Sequence, residues 1–365
     1  MNIPSIRSCF FVLVSLMSSQ AHAATIVLGG YPDQLQFIDD HDGRVIQKVK
    51  METGLPSNIQ LSADGKKIYV MTLTTAGFEV VDAHSHKVLT KFSLNTPMVK
   101  YRFMGGVPDS SGRYFYTVGW RIDKLADRYR FGKPQYLVVD IKEQNVVRSA
   151  DVEEDDTADD QGGRLSFAIS PNGKLFYIFG KKVRIVDVKD LKVSRRIDLS
   201  TPDSSMNRDV DMGGVVHAQR DPNFYISLFQ SEDPYIHNKV FGISKFDLRS
   251  GTFNFTPIGA VPASVEGLEI SPDGKDGYAV VENGQYGNQR CEFWHFDISA
   301  NKAVGNADFP CRRRFYYGMS SNGKKLYIYG AGYDIAVYDA KTLKQEVDWE
   351  LRNDITMAGI INLPE

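Results

Sequence analysis

The chain has 365 residues with 43 basic and 45 acidic side chains, which gives a formal net charge of −2 at pH 7. This near-neutral balance argues against a nucleic-acid-binding protein, because such proteins depend on an excess of Lys and Arg. The 31 glycines, 18 tyrosines and 21 phenylalanines favour many short strands joined by tight turns over a bundle of helices.

The first 23 residues are predicted to be a secretory signal peptide. Arg7 is their only charged residue, a short apolar run follows it, and Ala21 and Ala23 supply the small residues of a cleavage site. The apolar run is shorter than the ~20 residues that cross a bilayer, so a membrane-spanning anchor is not expected. We therefore predict an exported, periplasmic protein whose mature chain, residues 24–365, forms a single domain.

Two phrases recur along the mature chain. The first is an apolar strand, a Ser, a small turn that ends in Gly, and an aromatic strand. Its five clear copies contain the turn glycines Gly65, Gly112, Gly173, Gly274 and Gly323, and a sixth copy is placed at 220–223. The second phrase is an apolar strand that ends in Asp, a short polar turn and another strand. Its seven copies are marked by Asp39, Asp82, Asp140, Asp187, Asp247, Asp297 and Asp339.

These repeats predict an all-β protein, a seven-bladed β-propeller of four-stranded blades. Seven copies over residues 24–365 give about 49 residues per repeat, which is the length of one blade. The mature chain opens on a phrase typical of a second strand, ATIVLGG, and ends on one typical of a first strand, MAGIINLP. We therefore expect the C-terminal strand to complete the N-terminal blade and close the ring. The marker Asp residues are expected to accept hydrogen bonds from turn amides.

Long connections are expected at only one end of this propeller. That end carries the turns between second and third strands and the links between blades, whereas the other turns are all predicted to be short. The long segments are 120–135, 152–163, 200–213, 230–242 and 283–290. Long loops on a rigid scaffold usually carry binding functions, so we predict the working face here; neutral drift of solvent loops is the alternative.

The segment 120–135 is the main candidate for partner contact. Its Trp120, Arg121, Tyr129, Arg130 and Phe131 have the composition of a protein-contact hot spot. The alternative is a small apolar plug that holds the segment down on its own blade. The residues alone favour neither interpretation.

Two charged segments are further candidates. The run 151–160 holds seven carboxylates in ten residues and is predicted to be a solvated loop, with pairing to a basic partner or to Ca²⁺ as alternatives. Its spacing does not match a calcium loop. Arg312, Arg313 and Arg314 stand close to the start of an inner strand. From there they could face the axial channel and attract an anionic group or a partner carboxylate.

The mature chain has two cysteines, Cys291 and Cys311. Each lies at the end of a strand-like run, and a hairpin that turns near Asn301 would place them opposite each other. We predict a structural disulfide, which persists in an oxidising compartment. Free thiols or a metal site are the alternatives, and the latter has no nearby CxxC motif or His pair.

Motifs of an autonomous enzyme are missing from the sequence. It has no HExxH, GxSxG, phosphate-binding Gly loop or CxxCH motif. His84 and His86 flank a short turn and are expected to be solvated, so no metal site is predicted. A propeller hydrolase would need axial carboxylates and histidines, for which His217, Glu266 and Glu269 are available. No catalytic residue is predicted.

Several phrases resemble known propellers. FAISPNGKLFYIFG (167–180) and VRIVDVKDLKVSRRIDLS (183–200) resemble the YVTN-type bacterial seven-bladed β-propellers. Nearly the whole mature chain resembles the β subunit of quinohemoprotein amine dehydrogenase. The likeness lies in IVLGGYPDQLQFID, the insertion at 120–135, KKVRIVDVKDLKV and YGAGYDIAVYDAKTLKQEVDWELRNDITMAGI.

This second resemblance implies a periplasmic subunit of a complex that oxidises primary amines. In that family a small subunit carries a tryptophylquinone cofactor and a larger subunit carries two c-type haems. This chain would bind no cofactor itself and would pack against both partners. The acidic run 151–160 and the Cys291–Cys311 pair depart from the family pattern. The alternative function is a stand-alone exported propeller that binds a protein or glycan through its loop-rich face.

Overall fold

The structure is a computed structural model that describes residues 24–160, 165–200, 208–212, 221–232, 235, 238–260, 265–284, 286–312, 314–330 and 332–363. The predicted signal peptide, residues 1–23, lies outside this part of the chain. Within the described ranges, no helix combines the length and the hydropathy that a membrane crossing requires.

Seven four-stranded antiparallel sheets form a seven-bladed β-propeller, as the repeats predicted. Blade I consists of β1 (Thr25–Gly30), β2 (Gln34–Asp39), β3 (Val45–Lys50) and the last strand of the chain, β28 (Ile355–Leu363). Blade II consists of β4 (Pro56–Leu61), β5 (Lys67–Thr72), β6 (Gly77–Asp82) and β7 (Val88–Ser93). Blade III consists of β8 (Val99–Pro108), β9 (Tyr114–Lys124), β10 (Tyr129–Asp140) and β11 (Asn145–Asp151).

The remaining four blades follow in chain order after a short helix, α1 (Glu154–Asp160). Blade IV consists of β12 (Ser166–Ile169), β13 (Leu175–Phe179), β14 (Lys182–Asp187) and β15 (Val193–Asp198). Blade V consists of β16 (Arg208–Met212), β17 (Phe224–Glu232), β18 (Lys239–Asp247) and β19 (Thr252–Ala260). Blade VI consists of β20 (Val265–Ile270), β21 (Asp276–Asn283), β22 (Arg290–Asp297) and β23 (Lys302–Phe309). Blade VII consists of β24 (Phe315–Met319), β25 (Lys325–Gly330), β26 (Asp334–Asp339) and β27 (Gln345–Glu350).

The ring closes by strand pairing between the two ends of the described chain. Strand β28 pairs antiparallel with β1, from Thr25 opposite Leu363 to Gly30 opposite Ile355. The prediction that the C-terminal strand completes the N-terminal blade is confirmed. Strand β28 runs from Ile355 to Leu363, and Leu363 lies opposite Thr25. It therefore ends at the same end of the propeller as the pair formed by Thr25 and Asp39.

The marker Asp of each blade ends the third strand and organises the turn that follows. In every blade its Oδ1 accepts a hydrogen bond from a backbone N–H two or three residues later, as in an Asx turn. The donors are the amides of His41, Ser85, Lys142, Lys189, Arg249, Ala300 and Thr342. The predicted structural role of these carboxylates is confirmed.

The hydrophobic core lies between neighbouring blades, and buried tyrosines link them. Tyr69 of blade II donates a hydrogen bond to the Gly112 carbonyl of blade III at 2.9 Å, and Tyr177 of blade IV donates to the Leu248 carbonyl of blade V at 2.8 Å. Burial raises the pKa of both phenols to about 12. These two contacts join blade II to blade III and blade IV to blade V.

A disulfide joins Cys291 and Cys311, with 5.2 Å between their Cα atoms. Cys291 lies opposite Phe309 in the hairpin formed by β22 and β23, and Cys311 lies two residues beyond Phe309. The predicted disulfide is confirmed, and it closes the open end of this hairpin. Such a bond is typical of proteins from an oxidising compartment.

Candidate functional site

The two ends of the propeller differ in the length of their connections. The turn face carries the turns between first and second strands and between third and fourth strands. Where the structure describes them throughout, those turns have five residues or fewer. In blade V the connection between the first and second strands includes residues 213–220, which lie outside the described residues, so the expectation of a short turn stays a prediction there. The loop face carries the turns between second and third strands and the links between blades.

In the part of the chain that the structure describes, large exposed apolar side chains lie on the loop face and on the outermost strands. Those on the outermost strands are Ile46, Leu89, Val147, Val304 and Val347. Those on the loop face are Tyr31, Leu73, Met98, Tyr129, Phe131, Tyr235 and Tyr333. In the described part of the turn face there are none. Exposed apolar groups gathered at one end of a protein usually mark a contact surface.

Sequence reasoning found only two of these seven loop-face side chains. Tyr129 and Phe131 were expected from the composition of the segment 120–135. Tyr31 and Tyr333 are 57% and 60% exposed in turns between second and third strands, where an aromatic residue has no strand partner to pack on. An aromatic residue at that position of the repeat is the signal that could have identified them.

The segment 120–135 forms strands instead of a loop. The pairing of β8, β9 and β10 continues beyond the blade as a three-stranded ribbon of residues 99–103, 119–124 and 129–134. The fourth strand, β11, stops at Asp151 opposite Gln135 and leaves the ribbon without a fourth member. The ribbon therefore projects from blade III on the loop face.

The predicted contact residues divide between the two surfaces of the ribbon. Trp120, Tyr129 and Phe131 share one surface, since Phe131 pairs with Ile122 and Trp120 lies two residues from Ile122 along β9. We call this surface the aromatic face. Phe131 is 72% exposed and Tyr129 is 50% exposed, so neither ring is packed against the blade beneath.

Arg121 and Arg130 lie on the opposite surface of the ribbon. Both guanidinium groups bind Asp123, Arg121 Nε at 2.9 Å and Arg130 Nη2 at 2.7 Å. Their hydrogen bonds, led by that of Arg130, hold the pKa of Asp123 below its ordinary value. The aromatic and arginine side chains that the composition grouped into one hot spot are therefore separated by the sheet.

Of the arginine triplet, Arg312 is held by its own blade. Its Nη2 contacts the carboxylate of Asp334 and lies 3.8 Å from Asp348, on the third and fourth strands of blade VII. The expectation that Arg312 faces the axial channel is therefore wrong, because its ion pairs turn it toward the outer strands. Arg314 is exposed, and Arg313 lies outside the described residues.

The acidic run 151–160 also differs from its prediction as a solvated loop. Part of it forms helix α1, in which Asp156 is only 1% exposed and accepts paired hydrogen bonds from Arg196 at 2.9 and 3.0 Å. Arg196 also binds Glu153 at 2.8 Å. The run is therefore partly neutralised by an arginine of blade IV, a contact 40 residues away in sequence.

The candidate metal and catalytic residues do not assemble into a site in the part of the chain that the structure describes. The ring of His86 stacks on Phe37 at 3.8 Å, and burial lowers its pKa. Among the described side chains no group of three or more His, Cys, Asp or Glu could hold a metal ion. Glu269 is buried in β20, and Glu266 also lies in that strand. His217 lies outside the described residues.

These features define a seven-bladed β-propeller whose exposed apolar groups cluster on one loop-bearing end. No protein-family model matches the chain, and none of the curated proteins matches it. The fold is, however, shared with many solved structures.

Three of those structures cover almost the whole chain. A functionally unknown protein from Desulfotomaculum acetoxidans has 13% identity and a TM-score of 0.57, over 93% of this chain and 98% of that one. A putative 6-phosphogluconolactonase from Bacteroides fragilis has 14% identity and a TM-score of 0.55, over 95% and 99%. A dihydro-heme d1 dehydrogenase has 12% identity and a TM-score of 0.54, over 94% of this chain and 75% of that one. At these identities the likeness establishes the fold alone.

Proposed function

We propose that this chain is a non-catalytic β-propeller subunit that binds partner proteins on its loop face. The observation that carries the proposal is the placing of seven large exposed apolar side chains on that face. Aromatic rings anchor protein interfaces because they bury a large area with few rotatable bonds. Tyr31 of blade I and Tyr333 of the neighbouring blade VII are two such rings, 57% and 60% exposed.

The partners that we propose are a small quinone-bearing subunit and a dihaem cytochrome subunit, as the resemblance to the β subunit of quinohemoprotein amine dehydrogenase implies. The propeller would bind neither cofactor itself. Its loop face would cover the quinone site of the small subunit, exclude water from it and limit the approach of the amine. The disulfide supports a periplasmic location, and the name of one similar structure associates such a propeller with heme chemistry in that protein.

Affinity purification from the periplasm of the native organism tests this proposal. A tag after residue 365 follows β28, which ends at the turn face, so the tag leaves the loop face free. The loop-face variant replaces Tyr31 and Tyr333 with Ser. A matched control replaces Leu89 and Ile46, which are exposed on outermost strands, with Ser.

The wild type should elute with c-type haem absorbance and with a small chain that stains for quinone redox cycling. The loop-face variant should lose both signals, whereas the control should retain them. The proposal is wrong if the wild type elutes with neither haem nor a quinone-bearing chain, or if the control loses its partners equally.

A stand-alone propeller that binds a protein or glycan is the second candidate. The observation that favours it is the exposure of Tyr31 and Tyr333, whose rings offer an apolar surface and a hydrogen-bonding hydroxyl. A glycan array probed with the purified chain distinguishes this candidate. Binding that the Tyr333→Ser substitution weakens, together with a native preparation free of haem, would favour it over the subunit.

A further inference from the structure

The ribbon carries a concentrated positive charge. Residues 98–103 and 119–135 contain seven Lys or Arg and two Asp, whereas the whole chain is slightly negative. On the aromatic face, Lys100, Arg102 and Lys124 are exposed beside the aromatic rings. A surface of cations around apolar groups is complementary to an acidic surface.

An acidic element begins at the base of the ribbon. Gln135 Nε2 donates a hydrogen bond to Asp151 Oδ1 at 2.8 Å, where β10 and β11 stop pairing. Helix α1 follows on the same face, and its Glu154 and Asp155 are exposed. A positive and a negative element therefore lie side by side at one end of the molecule.

Ion pairs within the chain do not join these two elements. The ion pairs of the ribbon use its own Asp123 and Asp127. Those of the acidic segment use Arg196 of blade IV. Across the described ranges, no ion pair connects the ribbon with residues 151–160, so the cations of the aromatic face and the exposed carboxylates of α1 remain available to another molecule.

We infer that a second copy of this chain binds here, with the ribbon of each copy against the acidic segment of the other. In a twofold interface every contact is repeated in reverse, so one copy must present both complementary elements on one face. The ribbon and the segment 151–160 meet that requirement. The interface covers the loop face at blades III and IV, and it leaves Tyr31 and Tyr333 of blades I and VII for the partner subunits proposed above.

Analytical ultracentrifugation of the purified, oxidised chain tests this inference with three charge-reversed variants. The ribbon variant carries Lys100→Glu, Lys124→Glu and Lys133→Glu. The acidic-segment variant carries Glu154→Lys and Asp155→Lys. The matched control reverses three exposed lysines of the turn face, Lys66→Glu, Lys174→Glu and Lys324→Glu.

The wild type should dimerise in about 50 mM salt and bind itself at least about tenfold more weakly in about 500 mM, because salt screens exposed charges. The ribbon and acidic-segment variants should each be monomeric. An equimolar mixture of the two should form dimers again. In the mixed dimer the acidic ribbon of one variant faces the basic segment of the other, and the basic ribbon faces the acidic segment. The turn-face control should behave as the wild type does.

A monomeric wild type in low salt would overturn the inference and would leave the ribbon to a partner of another kind. A mixture that stays monomeric would overturn it as well, and so would a control that no longer dimerises. Hydrogen exchange of the wild type provides a test that needs no variant. Amides in 119–135 and 151–160 should become more protected as protein concentration rises, and unchanged protection would refute the interface. None of these results depends on the haem or quinone partners.

Discussion

Gly43 in blade I allows a direct test of how the first and last blades pack together. The fourth residue after each marker Asp has a positive φ, and these residues are Gly43, His86, Gln144, Leu191, Gly251, Asn301 and Leu343. Because five of the seven are not glycine, the left-handed conformation alone does not demand glycine here. A Cβ at Gly43 would lie 2.1 to 2.5 Å from ring carbons of Trp349 in blade VII. At Gly251 the nearest atom would be Ile185 Cδ1, at 3.2 Å.

We expect Gly43→Ala to destabilise the protein much more than Gly251→Ala. Both substitutions place an L side chain in the left-handed region, which costs about 1 kcal/mol. At Gly251 the end of the Ile185 side chain can move aside. At Gly43 the new methyl must displace Trp349, which is 5% exposed and packs on Tyr327, and overpacking of this kind costs a further 1 to 3 kcal/mol, roughly. The expected losses are therefore about 2–4 and about 1 kcal/mol.

Urea denaturation followed by circular dichroism measures both losses. A second pair of measurements, in a Trp349→Leu background, isolates the steric term, because Gly43→Ala should there cost only the ~1 kcal/mol of backbone strain. Equal losses for the two glycine variants would refute the argument. So would a loss at Gly43 that is unchanged in the Trp349→Leu background.

Three further predictions concern single interactions. Replacing Cys291 and Cys311 with Ala should lower the free energy of unfolding by about 3 kcal/mol, because the disulfide constrains the unfolded chain over a separation of 20 residues. Burial raises the pKa of Tyr177 to about 12. The unfolded state, in which this tyrosine has the ordinary pKa of about 10, therefore loses the proton first as the pH rises. The free energy of unfolding should fall by roughly 3 kcal/mol between about pH 10 and 12, and Tyr177→Phe should abolish that fall. Arg196→Ala should cost about 3 kcal/mol, because it leaves buried Asp156 without its cation.

Urea midpoints measure all three effects. The disulfide prediction fails if dithiothreitol leaves the wild-type midpoint unchanged. For Tyr177, the wild type and Tyr177→Phe should lose stability at different rates above about pH 10, and parallel curves would contradict the assignment. For Arg196, a second substitution, Asp156→Leu, should restore stability to Arg196→Ala. No recovery would show that the loss does not come from the buried carboxylate.

The fold was predictable because each blade repeats the same local chemistry. A marker such as Asp82 ends a buried strand and accepts a hydrogen bond from an amide of the turn that follows. These residues therefore identify the end of the third strand in all seven blades. Blade V was harder to predict because its copy of the first phrase, at 220–223, lacks the turn glycine. The first strand that the structure describes in this blade is Arg208–Met212, and His217 lies outside the described residues.

The composition of the candidate site was predictable, but its arrangement was not. Trp120 and Arg121 lie on opposite surfaces of the ribbon, and a shift of one residue in strand register would exchange them. The pairing of Arg196 with Asp156 joins segments 40 residues apart, so no local pattern indicates it. Exposure of Tyr333 depends on where its turn begins, which composition does not reveal.

The turns of the turn face depend on polar side chains that accept hydrogen bonds from the backbone. On the turn face, Ser62 Oγ accepts the amide of Lys67 at 2.9 Å, and Ser170 and Ser320 make the equivalent bonds in their blades. Together with the marker Asp residues, these side chains are committed to forming the turns, and their replacement would leave backbone groups without partners. On the loop face, Phe131 makes no such contribution to its own strand. The exposed apolar side chains of the loop face are therefore free to differ between propellers of this shape, and binding specificity can change there without loss of the fold.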